Sequence, residues 1–235
     1  MQKGKLYLIP TFLSETDSNT ILPHNVEIVK TLNHFVVENL RTARRHLRAM
    51  GYTKNFDTEV TMYEWDKHKG NPIHSWLAVC ESGASIGFLS ESGTPCIADP
   101  GNLVVKEAYR KNIQVVPLVG ANSILLALMA SGFNGQKFSF TGYLPIQSAE
   151  KIAAIKQLES TARKTGYTQL FMETPFRNTA LINDLLKHLH PDTFLHISCD
   201  LTLPTEVTAT KKVSDWKKAV PDFGKRYCVF AISND

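Results

Sequence analysis

Residues 87–132 read GFLSESGTPCIADPGNLVVKEAYRKNIQVVPLVGANSILLALMASG, and their order decides the fold class. An apolar entry at residues 86–89 stops at the small-residue turn Ser90-Glu91-Ser92-Gly93-Thr94-Pro95. A second turn, Asp99-Pro100-Gly101, opens a helical stretch through Arg110. A β-branched run at residues 113–119, a Gly120-Ala121-Asn122-Ser123 turn and an apolar helix follow. Strand, loop, helix, strand, loop, helix implies a parallel sheet, because parallel neighbours need a crossover connection. Ligands of such sheets bind at the carboxyl ends of the strands, where both small-residue loops fall.

Working outward, the pattern repeats. Residues 6–10 are strand-like, 11–23 loop-like, 25–32 helical and 34–37 a short strand. Residues 41–50 form a basic helix stopped by Gly51, and 76–83 a helix stopped by Gly83. Beyond the opening segment, strands are expected at 138–143, 169–172, 194–199, 207–210 and 227–232. Helices are expected at 150–164, 176–189 and 214–219, the last with Ser214 as N-cap. Such alternation marks an α/β protein. The 235 residues suffice for two domains, and element counting divides them near Pro117, into 1–116 and 117–235.

Composition narrows the class further. Hydrophobic content of 43% and charged content of 20% are those of a globular chain. No apolar run approaches the ~20 residues that span a bilayer. The apolar stretch after Lys5 is too short for a signal peptide and reads as a first strand, so a cytoplasmic location is expected. Cys80, Cys96, Cys199 and Cys228 are scattered without CxxC spacing, and the eight histidines show no ligand grouping, so no metal is expected. Cys80, Cys199 and Cys228 sit in apolar runs, as core residues do. A net charge of +4 permits nucleic-acid binding without demanding it.

Six ordered strings carry a family resemblance. Ser90 to Gly101, SESGTPCIADPG, resembles the SDAGTPxISDPG signature of the tetrapyrrole methylase superfamily, in the branch that methylates ribosomal RNA of the small subunit. Val115-Val116-Pro117-Leu118-Val119-Gly120 resembles VVPLPG, and Gly142-Tyr143-Leu144-Pro145 resembles GFLP. Phe171-Met172-Glu173-Thr174-Pro175-Phe176-Arg177 resembles FYESPHR. Asp200-Leu201-Thr202 with Glu206 resembles ELTKxxEE, and Leu8-Ile9-Pro10-Thr11 resembles VPTP. The resemblance implies two α/β domains with S-adenosylmethionine (SAM) in a cleft between them, and a homodimer. It also implies methyl transfer to a ribose 2′-hydroxyl. Two departures stand out. The family's glycine-containing first loop is here Phe12-Leu13-Ser14-Glu15-Thr16-Asp17, with Ser14, Thr16, Asp17 and Ser18 as its polar groups. The acidic residue of the family's AEDTR is Asn39.

By the same resemblance, Ser92, Gly93, Thr94, Ile97, Asn122, Ser123 and Glu173 match cofactor-binding positions. Small residues suit that task because they let backbone approach a ligand closely. A ribose hydroxyl is a weak nucleophile and needs a base. Asp99 and Glu173, each on a strand-end loop, are the candidates, with Glu38 a third. The bland alternatives are a helix cap for Asp99 and an i,i+4 ion pair with Arg177 for Glu173. Arg41, Arg44, Arg45 and Arg48 fall at i, i+3, i+4 and i+7 on one helical face that suits a phosphate backbone, or merely solvent. The resulting expectation is a SAM-dependent methyltransferase acting on ribosomal RNA. The competing readings are a small-molecule or tetrapyrrole methyltransferase, and a SAM- or RNA-binding module without catalysis.

Overall fold

The computed structural model describes residues 2–14, 20–66 and 70–234. Thr16, Asp17 and Ser18 of the first loop lie outside the described residues. The chain forms two compact units, Met1–Asn122 and Ser123–Asp235. The division falls a little beyond the expected position because Pro117 is still paired with Leu8, and Leu118 N donates to Leu8 O.

The first unit contains β1 (Lys5–Ile9), α1 (Pro23–Thr31), β2 (His34–Val37), α2 (Leu40–Ala49) and β3 (Thr61–Glu64). The short helices α3 (Ile73–Trp76) and α4 (Ala78–Glu81) follow, then β4 (Ile86–Leu89), α5 (Asn102–Arg110) and β5 (Gln114–Pro117). Its sheet has the order β3-β2-β4-β1-β5, and every pairing is parallel. Both faces are covered, as parallel sheets require. Alternation along each strand divides the core: Phe35 and Val37 pack with Val29, Leu47 and Tyr52, while Val36 packs with Trp76, Phe88 and Val104. The two turns of the opening segment both leave this sheet at its carboxyl edge, because β4 and β5 flank β1 in parallel.

Sequence and structure differ here in two places. β3 was not anticipated: Thr61-Met62-Tyr63-Glu64 is a short edge strand without a clean alternation of buried and exposed residues. The helix expected at 76–83 is two four-residue helices meeting at Leu77, and the first of them starts earlier, after Pro72.

The second unit contains α6 (Ser123–Ser131), β6 (Phe138–Tyr143), α7 (Ser148–Thr165), β7 (Thr168–Glu173), a 3₁₀ turn (Pro175–Arg177) and α8 (Asn178–His188). β8 (Phe194–Cys199), β9 (Val207–Lys212), α9 (Val213–Trp216) and β10 (Cys228–Ser233) complete it. Its sheet is mixed, in the order β6-β7-β10-β8-β9. β6 and β7 are parallel, whereas β10 enters between β7 and β8 and runs antiparallel to both. Phe171 and Phe230 stack across that seam with centroids 5.7 Å apart. Ser214 is not an N-cap: β9 keeps pairing with β8 as far as Lys212, which itself takes the cap position of α9. Cys80, Cys199 and Cys228 are buried and Cys96 is half-buried, all as free thiols. Among the described residues no helix is long and apolar enough to cross a membrane.

Candidate functional site

The site of the first unit is built where β1, β4 and β5 end. The backbone of the β4 loop is strapped to the end of β1 in both directions: Thr11 N donates to Gly93 O at 2.9 Å, and Gly93 N donates to Phe12 O at 3.3 Å. Ser92 Oγ adds a bond to Leu13 O at 3.1 Å. Gly93 has φ of +72°, and a Cβ there would lie 3.0 Å from Leu13 Cδ2 and 3.4 Å from Ala121 O. Only glycine takes that backbone cheaply.

The β5 loop is held as closely. Asn122 Nδ2 donates to Thr94 Oγ1 at 2.6 Å, which joins the two predicted cofactor loops directly. Asn25 Nδ2 donates to Val119 O at 2.7 Å. A Cβ on Gly120 would sit 2.2 Å from Pro10 Cβ, so the chains cross at a distance no other residue permits. Thr11 is fully buried between these loops, and its Oγ1 has no hydrogen-bond partner among the described residues. A buried hydroxyl normally finds a partner.

The structure thus gathers Ser92, Gly93, Thr94 and Asn122 at one sheet edge. Ile97 lies on the same β4 loop with half its surface exposed, flanked by Cys96 and Ala98 at positive φ. Ser123 opens α6 in the second unit. Asp99 also sits on the β4 loop. It does not occupy the N-cap of α5, which falls to Gly101 without a side-chain cap. Burial, and then the charge of Asp99, push the Cys96 thiol up to about 11.

Glu173 is different. It belongs to β7 of the second unit, its side chain is 2% exposed, and it is taken up by an ion pair. Its Oε1 accepts from Arg177 Nε at 2.9 Å, from Arg177 Nη2 and from Thr174 N at 2.7 Å. The i,i+4 pair is made, and it pins the turn that leads into α8.

The start of α2 docks against the β4 loop. Asn39 Oδ1 accepts from Arg41 N and Thr42 N, so the amide that replaces the family's acid performs the N-cap. Thr42 Oγ1 and His46 Nε2 reach Glu91, and Glu38 Oε1 accepts from Glu91 N. The four arginines of α2 are exposed, but not equivalent. Arg44 pairs with Asp57 at 3.0 Å, and the Arg48 guanidinium lies 4.2 Å from the Phe56 ring centroid. Arg44 and Arg48 are therefore folded onto their own unit.

Comparisons with known proteins agree with this architecture. No family model matches the chain. It is similar to the crystal structure of the methyltransferase CobJ, with a TM-score of 0.62 at 15% identity over 98% of this chain and 94% of that one. It is similar to diphthine synthase with a TM-score of 0.67 at 16% identity, over 97% of this chain and 88% of that one. The chain has the tetrapyrrole methylase fold. Its distant sequence similarities are to proteins named as methyltransferases. Among sequences, it is 26% identical to ribosomal RNA small subunit methyltransferase I of Buchnera aphidicola subsp. Acyrthosiphon pisum, over 92% of the chain and 73% of the relative. It is 33% identical to the protein of that name from Bacillus subtilis (strain 168), over 74% of the chain and 56% of the relative. The chain therefore spans between about half and three-quarters of the length of these two relatives.

Two features of this tetrapyrrole methylase edge were not singled out from sequence. Thr11 was read only as part of a motif, and Asn25 as one helix residue among others. A threonine directly after a strand is the sole sequence signal for the first. The second depends on a contact 94 positions away.

Proposed function

We propose that this protein transfers a methyl group from SAM to a ribose 2′-hydroxyl of ribosomal RNA. The observation that carries the reading is the double strap between Thr11-Phe12 and Gly93, closed by the Asn122–Thr94 bond. It presents backbone and small polar groups at the carboxyl edge of a parallel sheet. That arrangement fits a cofactor with an ammonium, a carboxylate and an adenosine to be held. The distant homology to methyltransferases named for small-subunit ribosomal RNA supports the RNA half of the reading.

SAM supplies a methyl group already activated on a sulfonium. The residues of this chain then have three tasks. Ser92, Gly93, Thr94 and Asn122 hold the cofactor, because positioning is most of the work for an activated donor. Asp99, on the same loop, takes the proton of the ribose hydroxyl as its oxygen bonds the methyl carbon and the carbon–sulfur bond breaks. The exposed arginines of α2, Arg41, Arg44, Arg45 and Arg48, offer charge to the RNA backbone, and Arg44 and Arg48 also pack against Phe56 and Asp57. Glu173 is assigned to its ion pair rather than to proton transfer. RNA as partner, a cytoplasmic location and a homodimer belong to the same proposal.

The test is transfer of isotopically labelled methyl from SAM to assembled small ribosomal subunits and to naked small-subunit RNA. Label should appear on a ribose and make the adjoining phosphodiester resistant to alkali. Asp99→Asn should lower kcat by about 10²–10⁴ with little change in SAM affinity. Label on porphyrinogens but not on RNA would overturn the substrate assignment.

A further inference from the structure

One edge of the second sheet carries aromatic surface that neither the core nor the proposed cofactor residues of the first unit use. β6 and β7 end at this edge, and β8 ends there too, because β10 starts there and runs antiparallel to β7 and β8. Tyr143 at the end of β6 is 53% exposed, Phe176 in the 3₁₀ turn after β7 is 78% exposed, and Tyr227 just before β10 is 69% exposed. Three aromatic residues with half or more of their surface exposed at one edge are unusual, since scattered single residues are the norm.

The backbone holds each ring in place. The pairing of β6 with β7 shifts register between Phe140 and Tyr143, where Gly142 has φ of +78°, and such a bulge re-aims the next side chain. Pro175 starts the turn that carries Phe176. Asn178 Nδ2 donates to Arg226 O at 2.6 Å, and Asp200 N donates to Tyr227 O at 2.9 Å, which fixes the segment before β10 on both sides. The charges divide equally clearly. Arg177 is committed to Glu173 and Arg226 to Asp200. Lys225 Nζ instead lies 5.3 Å from the Phe176 ring centroid, with no carboxylate partner among the described residues.

We propose that this edge is a stacking platform for the unpaired bases of a single-stranded RNA segment, with Lys225 set against its phosphate. The proposal rests on the RNA reading above and adds where the strand would lie. Every base has a π face, so fixed exposed rings beside a cation form a sequence-tolerant single-strand site. A cation held 5.3 Å from a ring centroid also matches a nucleotide, which presents its phosphate beside its base.

The full-length protein is titrated by fluorescence anisotropy with a labelled single-stranded oligoribonucleotide of mixed sequence, and with the same strand in a duplex. Phe176→Ala and Tyr227→Ala should each weaken single-strand binding roughly ten-fold. Phe176→Trp should retain it, and Lys225→Ala should reduce the salt slope by somewhat under one. Calorimetry with SAM and sedimentation are run on the same variants. Wild-type protein that ignores the single strand, or alanine variants that bind it unchanged, would overturn the proposal. So would variants that lose SAM binding, which would mark a cofactor contact, or lose self-association, which would mark a surface between copies of this chain. Ring-dependent RNA binding without methyl transfer would sink the proposed activity and leave the platform standing.

Discussion

At the scale of single residues, the site depends on groups whose value lies in what they lack or replace. Gly120 lacks a Cβ where Pro10 leaves no room for one. Gly120→Ala should therefore cost about 1–3 kcal/mol of stability, read from chemical denaturation, because the Pro10 ring must give way. Asn39 replaces a family acid, yet its Oδ1 caps α2 as an acid would. Asn39→Ala should cost about 1 kcal/mol, whereas Asn39→Asp should keep the cap. A measured loss from Asn39→Asp as large as that from alanine would show that the amide nitrogen, not the oxygen, matters. Part of this level is legible in the sequence: the resemblance marks Ser92, Gly93, Thr94, Ile97, Asn122, Ser123 and Glu173 as cofactor positions, and the bond between Asn122 and Thr94 joins two of them. The fate of Glu173 was legible only as an alternative. Spacing gives its separation from Arg177 along the chain, but not whether its carboxylate has anything else to do.

Among elements, β8 carries a titratable group that the methyl-transfer reading does not use. His196 is fully buried between Thr210 Oγ1 at 2.8 Å and Ser198 Oγ at 2.7 Å. Thr210 Oγ1 donates to Ser131 O, so it accepts from His196 Nδ1, and Ser198 donates to Nε2 of a neutral ring. Burial lowers the His196 pKa to about 4, against 6.5 in the unfolded chain. The folded state thus resists the proton that the unfolded state accepts. Stability from this group is complete above pH 6.5 and is lost as pH falls from 6.5 towards 4, by roughly 3 kcal/mol in all. Denaturation midpoints measured across that window should fall with acid in the wild type and stay flatter in His196→Gln. Elements also show where sequence reading stops. β3 has too little alternation to be seen, because only its pairing with β2 makes it a strand. β10 was recognised as a strand, but nothing local says that it enters antiparallel between β7 and β8.

At the scale of the whole molecule, a parallel five-stranded sheet and a mixed five-stranded sheet follow one another in the chain, each with its own core. The order of strands and helices in residues 87–132 was enough to give the first sheet its parallel sense. The mixed second sheet needed contacts between β7 and β10 that lie more than fifty residues apart. RNA binding belongs to this scale. If the basic face of α2 meets phosphate, Arg41→Ala should lower RNA affinity and flatten its dependence on salt without changing stability. Replacing Arg44 and Arg48 should also lower stability, since both pack on Phe56. Equal effects on stability from Arg41→Ala and from replacing Arg44 and Arg48 would remove that distinction.

The central claim is that the strapped loops of the first unit hold SAM. Its most direct test is a calorimetric titration of the full-length protein with SAM, beside a Thr94→Trp variant that fills the loop joined to Asn122. The account predicts saturable binding in the wild type, with a Kd on the order of micromolar, and none in the folded variant. No binding by the wild type at millimolar SAM, or equal binding by both proteins, would contradict it.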